Sequence, residues 1–81
     1  MTNAAFIIGA GPRIGFAVAQ ALKRQGFAVA VGSRHPDTAK AQSAGLVPVK
    51  IDAGDAKSVD SAFSEVKSKI GIPNVVVYNG M

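Results

Sequence analysis

The sequence predicts an α/β domain: one parallel sheet with strand order 3-2-1-4 and helices on both faces. Three observations predict it. Short apolar runs alternate with stretches of helical periodicity along the whole chain. The apolar runs are continuous rather than alternating with polar residues, which suits strands covered on both faces. A glycine-rich turn, Gly9-Ala10-Gly11-Pro12-Arg13-Ile14-Gly15, joins the first run to the first helical stretch.

The elements follow in order. Ala4-Ala5-Phe6-Ile7-Ile8 is the first strand, ended by Gly9. Ile14, Ala17, Val18, Ala21 and Leu22 recur at helical spacing and form one apolar stripe. Lys23 and Arg24 fall in the last turn of that helix, where positive charge suits the helix dipole, and Gly26 stops it. Phe27-Ala28-Val29-Ala30-Val31 is the second strand, followed by Gly32-Ser33-Arg34. Asp37 is placed to cap a short, alanine-rich helix over Thr38-Ala39-Lys40-Ala41-Gln42, with Gly45 ending it. Leu46 to Ile51 forms the third strand. Pro48 cannot donate to a ladder, which puts this strand at an edge. Asp55 caps a third helix with Val59, Ala62, Phe63, Val66 and Ile70 on one face, ended by Gly71 and Pro73. Val75-Val76-Val77-Tyr78 is the fourth strand. Right-handed crossovers place the first two helices on one face and the third on the other.

Eighty-one residues make one small domain of marginal stability. Without cysteine there is neither a disulfide nor a thiolate metal site, and the single histidine, His35, cannot build a metal site alone. The net charge of +4 favours an anionic partner such as a phosphate. Nucleic acid has little support, because the basic residues are not interleaved with stacking aromatics. No membrane role is expected: the run from Ala4 to Ile8 is too short to span a bilayer. No secretory signal is visible, so a cytoplasmic location is expected.

The glycine turn carries the chemistry. Glycine lets the chain turn tightly and lets backbone approach a ligand, and the free N–H groups at a helix start attract a diphosphate. A strand before, a helix after and a second strand at the right distance make this a dinucleotide-binding, Rossmann-type arrangement over residues 1–81. Binders of NAD and FAD usually place an acid at the end of the second strand to grip the ribose hydroxyls. This sequence places Ser33 and then Arg34 there. No carboxylate repels a 2′-phosphate, and a guanidinium is available to bind it. Arg13 can add a second positive charge. One such pair is worth on the order of 1 kcal/mol in water, biasing NADP over NAD by about fivefold to tenfold. The competing readings are a turn without a ligand and solvated surface arginines. His35 reads as a loop residue, and Asp60 and Glu65 as solvated helix positions.

These residues resemble the short-chain dehydrogenase/reductase family, whose members carry Thr-Gly-x-x-x-Gly-x-Gly after the first strand. Gly9 and Gly15 match its first and last glycines, while Ile8 replaces the threonine and Arg13 the middle glycine; Gly11 can supply the lost flexibility. The resemblance implies that the Ile14 N–H faces the diphosphate. It implies that Asp52 accepts from the adenine amino group and that the Ala53 backbone contacts the ring. The closing Tyr78-Asn79-Gly80 is similar to the family's Asn-Asn-Ala-Gly segment, with Asn79 at the second asparagine and Gly80 in place of the alanine. Ser33, Arg34, Asn79 and Gly80 complete the implied cofactor set.

The family's catalytic serine and Tyr-x-x-x-Lys pair have no counterpart in this sequence. Tyr78 is the only tyrosine and three residues follow it, so no catalytic residue is assigned. The resemblance thus implies the incomplete N-terminal part of an NADP(H)-dependent oxidoreductase. One alternative is a non-catalytic dinucleotide-binding or interaction module from a truncated gene. A fourth strand left at an apolar edge would favour self-association of such a module. Another alternative is an FAD-binding domain, suggested by Ile7-Ile8-Gly9-Ala10-Gly11-Pro12. Against it, the third glycine of such domains would fall at Ile14 and their ribose-binding acid at Ser33.

Overall fold

A computed structural model describes residues 3–9, 14–36, 38–52 and 54–78. Four strands and three helices alternate: β1 (Ala4–Ile8), α1 (Ile14–Arg24), β2 (Ala28–Ser33), α2 (Thr38–Ser43), β3 (Val47–Lys50), α3 (Ala56–Ile70) and β4 (Val75–Tyr78). The sheet is parallel throughout, in the order β3-β2-β1-β4. Its register pairs Ala4 with Ala28 and Ile8 with Gly32, Ile8 with Tyr78, and Ser33 with Lys50. Every residue of β1 is buried, as an unbroken apolar run on an interior strand requires. Pro48 lies on the edge strand expected of it.

Each face of the sheet carries its own core. On one face Phe6, Ile8, Ala30, Val49 and Ile51 pack with Ala62 and Val66 of α3, joined by Val59, Phe63 and Ile70. The rings of Phe6 and Phe63 meet edge to face at 5.2 Å. On the other face Ala5, Ile7 and Val29 pack with Ala19 of α1, Ala41 of α2 and Leu46. Gly32 makes room for Phe6: a Cβ there would lie 2.8 Å from Ile51 Cγ2 and 2.9 Å from Phe6 Cε1. The large ring on β1 therefore depends on the missing side chain on β2.

The structure corrects the α1 stripe. Ala17 is exposed and Val18 is 37% exposed, whereas Ala19 is fully buried and Phe16 and Leu22 pack beside it. The face turned to the sheet is thus centred on the i, i+3 series Phe16, Ala19, Leu22. A small residue at its centre lets the helix backbone approach β1 and β2 closely.

Two strands begin one residue later than the apolar runs suggest, for a shared reason. The Phe27 N–H donates to Leu22 O (3.1 Å) and the Gly26 N–H to Lys23 O (3.0 Å). Likewise Leu46 N–H donates to Ala41 O (2.9 Å) and Gly45 N–H to Gln42 O (3.0 Å). Both pairs form the Schellman closure, so Phe27 and Leu46 finish helices before the strands start. At α3, the Asp55 carboxylate accepts from the Lys57 N–H at 3.0 Å, and the Gly71 N–H donates to Lys67 O at 3.1 Å. That is the capping the sequence predicts. The proposed cap Asp37 of α2 lies outside the described residues. α2 is tied to α1 by Lys40, whose Nζ sits 4.6 Å from the Phe16 ring centroid.

Asn74 aligns β4 against β1. Its N–H donates to Ala4 O at 2.9 Å, and its Oδ1 accepts from the Ala4 N–H at 2.9 Å.

Candidate functional site

The candidate site lies where the parallel strands end together at their carboxyl edge, the general place for ligands in such sheets. Two backbone bonds stitch three of these ends. The Gly9 N–H donates to Gly32 O at 2.9 Å, and the Ile51 N–H donates to Ser33 O at 2.9 Å. The chain leaving β1, the chain leaving β2 and the chain leaving β3 are thereby held side by side. Of the predicted residues, this brings Gly9, Ser33, Arg34 and Asp52 to one edge.

Gly9 turns the chain with φ +73°, a left-handed conformation in which a side chain is strained. Five residues later α1 begins with Ile14 and Gly15 in its first turn, which contains no acidic residue. Nothing acidic on this turn opposes an anion at the helix start. Gly11 and Arg13 lie outside the described residues, as do Ala53, Asn79 and Gly80.

Ser33 closes β2 half-buried, and Arg34 and His35 follow it exposed. Among the described residues Arg34 is in no hydrogen bond or ion pair. Its guanidinium is thus free to meet an external anion. No carboxylate lies at the end of β2 on the described chain.

The turn after β3 is tightly organised around Asp52. Its Oδ1 accepts from the Gly54 N–H at 3.0 Å, its carbonyl accepts from the Asp55 N–H at 3.0 Å, and its own N–H donates to Ser58 Oγ at 2.8 Å. A carboxylate has lone pairs to spare beyond one such bond, so Asp52 can still accept from an external amino group. Sequence reasoning missed Ser58. Its signal was a hydroxyl in the first turn of the helix after Asp52, but serine is common there for purely local reasons.

Other candidate groups do not join the site. Glu65 is in an exposed ion pair with Lys69 at 2.8 Å, and Asp60 is exposed on the same helix. Among the described residues no three His, Cys, Asp or Glu side chains gather where they could hold a metal ion. No described helix is long and apolar enough to cross a membrane. Tyr78 ends β4 as the register partner of Ile8 and is 66% exposed.

The described residues fit a dinucleotide phosphate: a glycine of left-handed φ five residues before a helix with no acid in its first turn, an arginine unpaired among the described residues one strand over, and an ordered acidic turn beyond it.

Comparison with known proteins agrees with this fold. The short chain dehydrogenase family model matches residues 3–80. The short chain dehydrogenase/reductase dmxR12 of Cryptosporiopsis sp. is 40% identical over 74 residues, covering 91% of this chain and 29% of that protein. The NADPH-dependent reductase YwfH, involved in bacilysin biosynthesis, superimposes with a TM-score of 0.79 at 27% identity, over 100% of this chain and 35% of that one. L-Sorbose reductase from Gluconobacter frateurii, solved with NADPH and L-sorbose, gives a TM-score of 0.87 over 99% of this chain and 34% of that one. At 24% identity it speaks to the fold alone. The chain spans 25% and 29% of the length of two curated relatives it matches.

Proposed function

The chain belongs to the short-chain dehydrogenase family, and from that premise we propose that it is the NADP(H)-binding portion of a short-chain oxidoreductase. One observation carries the choice of NADP: Arg34, exposed and unpaired among the described residues, stands at the end of β2 where NAD binders place an acid. In this reading Gly9, Gly11, Ile14 and Gly15 present backbone to the diphosphate. Ser33, Arg34 and Arg13 take the 2′-phosphate. Asp52 and Ala53 hold the adenine, and Asn79 and Gly80 belong to the same cofactor set by their match to the family's segment after the fourth strand. The relation to an NADPH-dependent reductase at 27% identity supports the same cofactor. The bound nicotinamide supplies or accepts a hydride in carbonyl–alcohol exchange, which is the activity proposed for the complete family fold. Its proton chemistry belongs to residues that this sequence does not contain.

Titration of the chain with NADPH and NADH tests the reading. NADPH should bind more tightly, and Arg34→Asp should weaken NADPH about tenfold while sparing NADH, because it replaces attraction with repulsion at the same distance. Equal affinities before and after the change would remove the phosphate role of Arg34. Flavin absorbance in the purified protein would favour the FAD alternative instead.

A second reading is favoured by β4. It is an apolar strand at the sheet edge, with Val76 and Tyr78 exposed on one face. Such an edge invites pairing with another strand, so a non-catalytic interaction module that self-associates is the competing proposal. Light scattering at rising concentration decides it; a monomer throughout would end it.

A further inference from the structure

We propose that Lys50 is a specificity-determining residue for the 2′-phosphate, reaching it from β3 across from Ser33 and Arg34. The proposal rests on the NADP(H) reading above and assigns part of that selectivity to a second strand.

The register carries it. Ser33 and Lys50 are Cα partners at the ends of their parallel strands. Partners in adjacent strands share a face and lie about 5 Å apart. The bond from the Ile51 N–H to Ser33 O, at 2.9 Å, holds that spacing one residue beyond Lys50. Val47, Val49 and Ile51 turn to the α3 face, which leaves Lys50 on the α2 face with Ser33. Lys50 is exposed, and among the described residues it makes no hydrogen bond or ion pair. Asp52, the nearest acid along the chain, is outside ion-pair range of it and has Oδ1 engaged by the Gly54 N–H at 3.0 Å.

The chemistry suits the position. A phosphate monoester carries close to two negative charges on three acceptor oxygens, more than one guanidinium satisfies. Arginine offers a planar fork from one side. A lysine ammonium on its flexible stem adds a point charge from the neighbouring strand, where its Cα partner is Ser33. Nothing comparable awaits the plain hydroxyl of NADH, so the contribution is selective.

The test is titration of the full chain with NADPH and with NADH, at low and at high salt. Lys50→Gln should weaken NADPH about three- to fivefold and leave NADH unchanged. Lys50→Arg should keep the preference, and the Lys50→Gln effect should shrink at high salt. Lys67→Gln makes the same charge change in the last turn of α3 and should alter neither affinity. Circular dichroism on each variant separates binding from unfolding. Equal loss for both nucleotides, no loss for either, or an equal effect of Lys67→Gln overturns the role of Lys50. A wild-type chain with no preference for NADPH overturns the cofactor reading itself, before any variant is compared.

Discussion

At one edge of the sheet, β3 carries Pro48 and Lys50 and has a helix on each face. At the other edge, β4 reads Val-Val-Val-Tyr, and on its α3-side face Val76 is 48% and Tyr78 66% exposed, with Ile72 nearby in sequence at 73%. α3 lies over β3 and β2, and among the described residues that side of β4 is left exposed at Val76 and Tyr78. Backbone direction sharpens the contrast. Ile51 donates inward to Ser33, so by alternation Val49 also faces β2 and Pro48 turns its nitrogen to the free edge. Asn74 donates inward to Ala4, so Val75 and Val77 turn unpaired N–H and C=O groups outward. One edge is closed by its sequence, and the other is open. An open apolar edge marks a surface suited to further chain or to a partner.

The largest effect should come from trimming the closed edge. Val49→Ala removes a buried side chain from the core under α3 and should cost about 2 kcal/mol in chemical denaturation. Val76→Ala, the equivalent cut on the open edge, should cost less than about 0.5 kcal/mol. Similar losses would mean that β4 is covered in solution. Next comes Gly32→Ala, which forces a methyl against Ile51 and Phe6 and should cost between about 1 and 2 kcal/mol. A neutral result would show that the Phe6 ring has room to move. Val76→Lys should leave stability within about 0.5 kcal/mol while suppressing any self-association seen by light scattering. Association unchanged by that charge would place the contact elsewhere.

The same contrast explains what the sequence makes legible. Strand order, both edges and the side taken by each helix follow from continuous apolar runs, Pro48 and chirality, all of which are local or topological signals. The α1 face did not follow. Alanines and valines fill so much of that helix that the period alone does not say which residue meets the sheet, and packing chose Phe16, Ala19 and Leu22. The strands start after Phe27 and Leu46 rather than at them, because an apolar residue can serve equally as a strand start or as the last anchor of a helix cap. At the candidate site, Gly9 and Arg34 were visible as exceptions to what a turn and a strand end normally carry. The Ser58 contact with Asp52 and the place of Lys50 opposite Ser33 are not legible, because they depend on a loop closure and on register, which join residues without any pattern in sequence.

A modest effect falls on Pro48 and bears most directly on the comparison. Pro48→Ala breaks no inward hydrogen bond, since that nitrogen faces away from β2. It loosens the unfolded chain and should destabilise by about 0.4–1 kcal/mol. It also gives the closed edge an outward N–H, the donor that a neighbouring strand would need. If proline is what closes this edge, the variant should associate at lower concentration than the wild type. Adding Val76→Lys should not abolish that gain, because the new contact forms at the opposite side of the sheet. If Val76→Lys does abolish it, the association still runs through β4, and Lys50 with the flanking helices suffices to keep β3 closed without its proline.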